Sequence, residues 1–228
     1  MENFIKTNSQ KEFIETVCEI IKEEANKNIK EKGSFTFVLS GGRTPKDIFD
    51  ELVLNHKESI KWNKVHFFWL DERCVDPLHE DSNYKLAYDS LISKLDVVGS
   101  VHRIKAELSP IKATKEYEIN IKKFFNDNVV QFDLVLLGLG EDGHVASLFS
   151  DSKELKLRKK IVLNTENRYG GYYRITLGLD TINKSHMLIL LINNSKKLHV
   201  YQNIDKKLRP INFINKGNLN VVIRNVSN

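Results

Sequence analysis

The 228-residue sequence contains no apolar run of bilayer-spanning length and no charged-then-apolar N-terminal segment of export type. The expectation is therefore a cytoplasmic protein with no membrane partner. Cysteine is nearly absent too. Cys18 and Cys74 have no paired spacing, which argues against a disulfide or zinc framework and fits a reducing compartment. Charge of one sign is not concentrated either: 35 basic residues stand against 30 acidic ones, for a net +5. The single basic cluster, Lys156-Leu-Arg-Lys-Lys160, has no aromatic residues threaded through it for stacking on bases, so nucleic acid is not an expected partner. The mild positive balance suits steering of a small anionic substrate. No histidines have a ligand spacing such as H-E-x-x-H, no serine sits in a G-x-S-x-G elbow, and the glycine-rich turn near residue 41 lacks the lysine of a nucleotide P-loop. No internal repeat, low-complexity tract or linker interrupts the chain.

What the sequence does contain is an alternation of strand-like apolar runs with helical patterns. Ser9-Gln-Lys-Glu12 reads as a capping box, followed by Phe13, Ile14, Val17, Ile20 and Ile21 on one helical face and a stop at Gly33. Residues 34–39 read as a strand. Ser40-Gly-Gly-Arg-Thr-Pro45 then makes a tight turn, with Thr44 able to cap the next helix and Pro45 suited to its first position. Residues 65–70 form a second buried strand that ends in the charged Asp71-Glu-Arg73. A helix after Ser82-Asn83 is expected to turn Tyr84, Ala87, Tyr88, Leu91 and Ile92 inward, and one after Ser109-Pro110 to bury Tyr117, Ile121, Phe124 and Phe125. Further strands are expected near 132–138, 161–163, 173–177, 187–192 and 220–224, with a helix over 196–201. Such alternation predicts one α/β domain over residues 1–228, built on a mostly parallel sheet.

The chemistry concentrates where the apolar run Phe132-Asp-Leu-Val-Leu-Leu137 breaks at glycine. Glu141, Asp142 and His144 follow in a loop at the expected carboxyl end of a buried strand, where open α/β sheets bind ligands. Gly138, Gly140 and Gly143 formally satisfy G-x-G-x-x-G. A dinucleotide reading fails on charge, because Glu141 and Asp142 would face the pyrophosphate, and only Val145–Phe149 remains for the required apolar helix. A lone histidine is usually structural, and His56, His66, His79, His102, His186 and His199 take that reading. His144 differs in its place, and an imidazole oriented by Asp142 or Glu141 can act as general base on water. The Ser40–Pro45 turn offers glycine backbone and a helix N-terminus to an anion, a phosphate monoester rather than a triphosphate. The bland alternative is an ordinary strand-to-helix turn. Asp71-Glu-Arg73 taken alone reads as a strand exit with solvated charges, the functional reading being that Arg73 forks toward an oxyanion or carboxylate. Arg174 and Lys196 could close a phosphate site with the turn, although each is unremarkable by itself.

Taken in order, Ser40-Gly-Gly-Arg-Thr-Pro45, Trp69-Leu-Asp-Glu-Arg73, Asp81-Ser-Asn83, Gly138-Leu-Gly-Glu-Asp-Gly-His-Val-Ala-Ser-Leu-Phe149, Arg174-Ile-Thr176 and Lys196 resemble the 6-phosphogluconolactonase family, within the wider glucosamine-6-phosphate isomerase/deaminase group. The resemblance runs nearly the full chain. It implies a Rossmann-like three-layer α/β sandwich with helices on both faces, no cofactor or metal, and a small sugar-phosphate partner, the protein acting as a monomer or homodimer. The implied reaction is hydrolysis of 6-phospho-D-glucono-1,5-lactone, the second step of the oxidative pentose phosphate pathway. His144 would activate water, Arg73 or loop amides would hold the oxyanion, and Asp71 or Asp142 would orient the imidazole. Ser40, Gly41, Gly42, Arg43, Thr44, Asn83, Gly143, Arg174 and Lys196 would bind substrate. Deaminases of the group usually carry tyrosine at the Arg73 position and an Ala-Phe-Asn-Glu-type continuation in place of Ala146-Ser-Leu-Phe149. The chain departs from the lactonase pattern at Asn193–Asn194, often glycine, at Ser150, often proline, and at Leu177-Gly-Leu179. Two rival readings remain at this stage: a glucosamine-6-phosphate deaminase using Asp71 as base, and a non-catalytic sugar-phosphate binder.

Overall fold

A computed structural model describes residues 2–157, 159–203 and 209–225; Arg158 of the basic cluster lies outside them. In chain order the elements are β1 (Asn3–Thr7), α1 (Gln10–Lys32), β2 (Phe35–Leu39), α2 (Arg43–His56), β3 (Val65–Trp69), β4 (Asp71–Arg73), α3 (Asn83–Ser90) and β5 (Ser100–His102). Then follow α4 (Pro110–Phe124), β6 (Leu134–Gly138), β7 (Val162–Asn164), β8 (Arg174–Leu177), α5 (Leu179–Asn183), β9 (Met187–Ile192), α6 (Ser195–Gln202) and β10 (Leu219–Arg224).

Seven strands make a sheet in the order β1-β10-β9-β6-β2-β3-β5, every adjacent pair parallel. Successive side chains of a strand point to opposite faces, and β2 is buried at every position while β9 is buried from Leu188 to Ile192. Both faces of the sheet are therefore covered, which is why these segments read as nearly continuous apolar runs, Thr36 of β2 being the polar exception. Helices α1 and α2 pack on each other, and α4 packs against β5 and β7. Among the described residues no helix is long and apolar enough to cross a membrane.

Helix α1 starts at the expected cap, but the capping box is only half formed, because the Glu12 carboxylate accepts from Asn8 N–H at 2.7 Å and not from Ser9 N–H. The Ser9 hydroxyl accepts from Glu12 N–H at 3.1 Å, and Gly33, at φ 83°, ends the helix in the left-handed region that glycine adopts without strain. Pro110 opens α4, whose Tyr117 is buried with its hydroxyl accepting from Trp69 N–H at 2.9 Å and donating to Trp69 C=O at 2.8 Å. That hydroxyl holds the last residue of β3 just before the chain turns toward Asp71.

Several expectations are corrected. Asp71-Glu-Arg73 is not a solvated exit but strand β4, which pairs antiparallel with β8, and β8 with β7, in a second sheet. Asp71 and Glu72 are both buried. The segments near 161 and 173 thus leave the parallel sheet. Thr44 does not cap α2: the helix starts two residues earlier, Gly42 at φ 100° is the cap, and Thr44 Oγ1 accepts from Asn193 Nδ2 at 2.6 Å. Tyr88 is 43% exposed, so it lies off the inward face of α3. Strands β1 and β5 and helix α5 were not foreseen.

Candidate active site

The chain runs from β2 to β3 and β5 on one side of the sheet, then returns to β6, β9 and β10 on the other. The order reverses between β2 and β6, and their carboxyl ends are where such sheets bind ligands. A cleft of about 160 Å³ opens there. Ser40 and Gly41 line it after β2, Asp71 and Arg73 from β4, Gly138 to Gly140 with His144 and Ala146 from the β6 loop, Arg174 from β8 and Lys197 from α6, with Asn83 at the start of α3. Four neighbouring strand ends and the small sheet supply these groups.

The loop after β6 is a closed turn: Gly143 N–H donates to Gly140 C=O at 3.0 Å, and Gly140 N–H to His144 C=O at 2.9 Å. Gly143 takes φ 89°, and the non-glycine Ala146 is also left-handed at φ 54°, a strained conformation of the kind found at functional sites. The turn sets His144 Nδ1 2.6 Å from Asp142 Oδ1. A carboxylate only accepts, so Nδ1 carries a proton, and in the neutral ring Nε2 is the nitrogen that has the lone pair. The hydrogen bond from His144 holds the Asp142 carboxyl down at about 2. The imidazole packs beside Phe149, ring centroids 4.7 Å apart and planes tilted by 41°.

Asp71 bonds elsewhere. Its Oδ2 accepts from the Ser147 hydroxyl at 2.5 Å and its Oδ1 from Asn83 Nδ2 at 3.3 Å, the same amide donating to Asp71 C=O at 2.9 Å. Of the two carboxylates expected to orient His144, Asp142 is the one hydrogen-bonded to it. Glu72 is a structural clamp: its carboxylate accepts from the N–H groups of Arg73, Asn83 and Tyr84 and from the Ser82 hydroxyl, tying β4 to the start of α3. Burial raises its pKa, and the backbone N–H groups counter that rise.

Arg73 donates through Nη1 to Asp81 C=O at 2.6 Å, while its buried Nε has no partner among the described residues. Arg174 donates through Nε and Nη2 to Tyr169 C=O at 3.2 and 2.9 Å, and burial lowers its pKa. Lys196 is the correction here. It is exposed, with Nζ 3.5 Å from Glu141 Oε2, and it is not among the residues lining the cleft. Lys197 lines the cleft instead, its pKa lowered by burial. The phase of α6 decides this: Asn194 caps the helix by accepting from Lys197 N–H at 2.9 Å, and consecutive helical residues point about 100° apart. Gly42, Arg43, Thr44 and Gly143 are likewise not on the cleft lining, although the first-turn N–H groups of α2 lack intrahelical acceptors and face outward from its N-terminus. Gly41 needs its missing side chain, since a Cβ there would lie 1.8 Å from Asn83 Oδ1. Beyond Lys197, sequence reasoning overlooked Ser147, whose signal was its place inside the longest motif. Among the described residues no group of three or more His, Cys, Asp and Glu is arranged to hold a metal ion.

Residues 8–223 match the family model described as glucosamine-6-phosphate isomerases/6-phosphogluconolactonase. The chain is 39% identical over 194 residues to 6-phosphogluconolactonase 3, chloroplastic, of Arabidopsis thaliana, covering 80% of this chain but only 60% of that protein's length. It is 32% identical over 193 residues to the 6-phosphogluconolactonase of a Nostoc strain, covering 82% and 78% of the two chains. The crystal structure of 6-phosphogluconolactonase from Thermotoga maritima superposes with a TM-score of 0.85 at 29% identity, covering 97% of this chain and 98% of the other.

Proposed function

Because the chain belongs to the glucosamine-6-phosphate isomerase/6-phosphogluconolactonase family, we propose that it hydrolyses 6-phospho-D-glucono-1,5-lactone to 6-phospho-D-gluconate, a step of the oxidative pentose phosphate pathway. The observation that carries this reading is the 2.6 Å pair of His144 and Asp142 at the rim of a cleft walled by Arg73, Arg174 and Lys197. An imidazole with a fixed Nδ1 proton beside three cations suits attack of water on an anionic ester. Arg73 and the Ala146-Ser-Leu-Phe149 continuation favour the lactonase branch over the deaminase branch.

In the mechanism, His144 Nε2 takes a proton from water as the oxygen attacks C1 of the lactone. Asp142 stays anionic and stabilises the imidazolium that forms, as the third member of a nucleophile–base–carboxylate arrangement does. Arg73, with Nε unpaired among the described residues, faces the developing oxyanion together with loop amides, an effect worth about 3 kcal/mol per donor. When the intermediate collapses, His144 returns the proton to the departing ring oxygen. Arg174, Lys197 and the N-terminus of α2 with Ser40 and Gly41 hold the 6-phosphate. Remote binding of that group keeps C1 at the base, which turns binding energy into rate. Asp71, pinned by Ser147 and Asn83, presents a fixed acceptor to a sugar hydroxyl. The chain acts as one domain over residues 1–228, as a monomer or homodimer, in a cytoplasm where Cys18 and Cys74 stay unpaired.

The test is an assay that generates the lactone in situ and follows its decay with and without protein, subtracting spontaneous opening. Accelerated decay supports the reading. Ammonia release from glucosamine 6-phosphate with no effect on the lactone would move the protein to the deaminase branch, and binding of 6-phosphogluconate without turnover would make it a sensor.

A further inference from the structure

The connection between β7 and β8 turns back at Gly170 and Gly171, left-handed at φ 60° and 87°, as a small hairpin in which Tyr169 N–H donates to Tyr172 C=O at 2.9 Å. Nothing in its sequence marks it as functional. Its contacts do. The Tyr169 ring stacks on Phe149 at 3.7 Å between centroids and 9° between planes, and Phe149 in turn packs against His144. The Tyr169 carbonyl accepts both hydrogen bonds of the Arg174 guanidinium. The Tyr169 hydroxyl donates to Asp151 Oδ1 at 3.0 Å, two residues beyond Phe149, which keeps the two rings parallel. On the other arm, the Tyr172 hydroxyl donates to Asp81 Oδ2 at 2.8 Å, and Asp81 C=O holds Arg73.

We infer that Tyr169 is a positioning residue for lactone hydrolysis, its ring fixing the tilt of His144 through Phe149 and its carbonyl fixing Arg174 at the phosphate end of the cleft. The inference rests on the function proposed above and adds to it a link between the two ends of the substrate. One hydrogen bond to Asp142 sets the distance of the imidazole but leaves it free to tilt about that bond. The Phe149 ring, packed beside the imidazole with 41° between their planes, limits that tilt, and it keeps its place only while its other side is covered, which Tyr169 does. At the other end, the Tyr169 carbonyl takes Nε and one Nη2 hydrogen of Arg174, so the remaining guanidinium N–H groups are turned to a defined direction for an anionic oxygen. A shift of the hairpin therefore disturbs base and phosphate contact together.

The experiment compares the full-length protein with Tyr169→Leu, Tyr169→Phe and Gly171→Val, using the phosphorylated lactone and unphosphorylated glucono-1,5-lactone, each across the range in which histidine titrates. Tyr169→Leu is expected to lower kcat by ~10–100-fold, the scale of a sub-ångström to ångström misplacement of a catalytic group. It should also narrow the preference for the phosphorylated substrate and shift the acid limb of the pH profile. Tyr169→Phe, which keeps the ring that Tyr169→Leu removes, should restore most of the turnover. Gly171→Val forces a branched side chain into a left-handed position without touching the cleft, and should lower kcat and raise KM for the phosphorylated lactone together; it decides the matter if Tyr169→Leu does not fold, and wild-type kinetics in it would overturn the inference. A cover for apolar surface and nothing more would lower thermal stability in Tyr169→Leu while leaving kcat, substrate preference and pH profile as in the wild type, and that result overturns the inference. Equal impairment of the Leu and Phe variants also overturns it. If the wild type itself fails to accelerate lactone decay, the proposed function falls, a result distinct from an active wild type with an unaffected Tyr169→Leu.

Discussion

Asp142 and His144 reach each other because residue 140 has no side chain. A Cβ at Gly140 would lie 2.2 Å from His144 Nδ1 and 2.5 Å from Asp142 Oδ1, inside the space that their 2.6 Å hydrogen bond occupies. Gly140→Ala should therefore push imidazole and carboxylate apart and lower kcat by about 10²-fold, the loss that follows from a misplaced base. Steady-state kinetics on the in situ lactone checks it, and wild-type kcat in a folded Gly140→Ala protein would show the pair is not needed.

Lys197 and Lys196 offer a direct contrast. Lys197→Ala should raise KM for the phosphorylated lactone by about 10–100-fold, corresponding to the ~1.5–3 kcal/mol of a hydrogen bond to a charged group. Lys196→Ala removes only an exposed ion pair with Glu141 and should leave KM near the wild-type value. Titration with 6-phosphogluconate as competitive inhibitor reads both, and the reverse ranking would put the wrong lysine in the cleft.

Glu72 predicts a stability effect rather than a catalytic one. Glu72→Ala leaves three backbone N–H groups and a serine hydroxyl without their acceptor. Since each buried donor left unpaired costs ~1–3 kcal/mol, a loss on the order of 3 kcal/mol is expected in denaturant unfolding. A loss of a few tenths would mean that water replaces the carboxylate.

At the opposite end of β3, the Ser100 hydroxyl bridges His66 Nδ1 at 2.7 Å and His102 Nε2 at 2.6 Å, and Asn120 Oδ1 accepts from His102 Nδ1 at 2.8 Å. Burial lowers both histidine pKa values below the ordinary 6.5. The unfolded chain then binds protons that the folded chain refuses, so stability is full above 6.5 and falls as pH drops below it toward the folded values. Thermal melts across that window should show Tm decreasing with pH, and His102→Gln should flatten the slope. An unchanged slope in the variant would remove His102 from the effect.

Most of the parallel sheet was legible because a strand covered on both faces is apolar at nearly every position, and β2, β3, β6 and β9 are, with Thr36 and His66 the polar exceptions. The helix cap at Ser9 and the loop after Gly138 were legible because local hydrogen bonding depends on residues close in sequence. The second sheet was not. Asp71-Glu-Arg73 carries charge after an apolar run, and its pairing partner Arg174–Leu177 lies about a hundred residues away; burial of Asp71 and Glu72 follows from partners that local pattern does not contain. Strand β1 hid for a different reason, since Asn3 and Phe4 are exposed at an edge and give no alternation. Choosing Lys197 over Lys196 required the helix phase, which Asn194 sets. Tyr169 was invisible because its role lies in what its ring and carbonyl touch across the fold.

The most direct test of the central claim is lactone turnover by His144→Ala, with spontaneous opening subtracted. The account predicts a fall of ~10²–10⁴-fold, the share of a general base, with 6-phosphogluconate still binding in the cleft. Turnover near that of the wild type would contradict it.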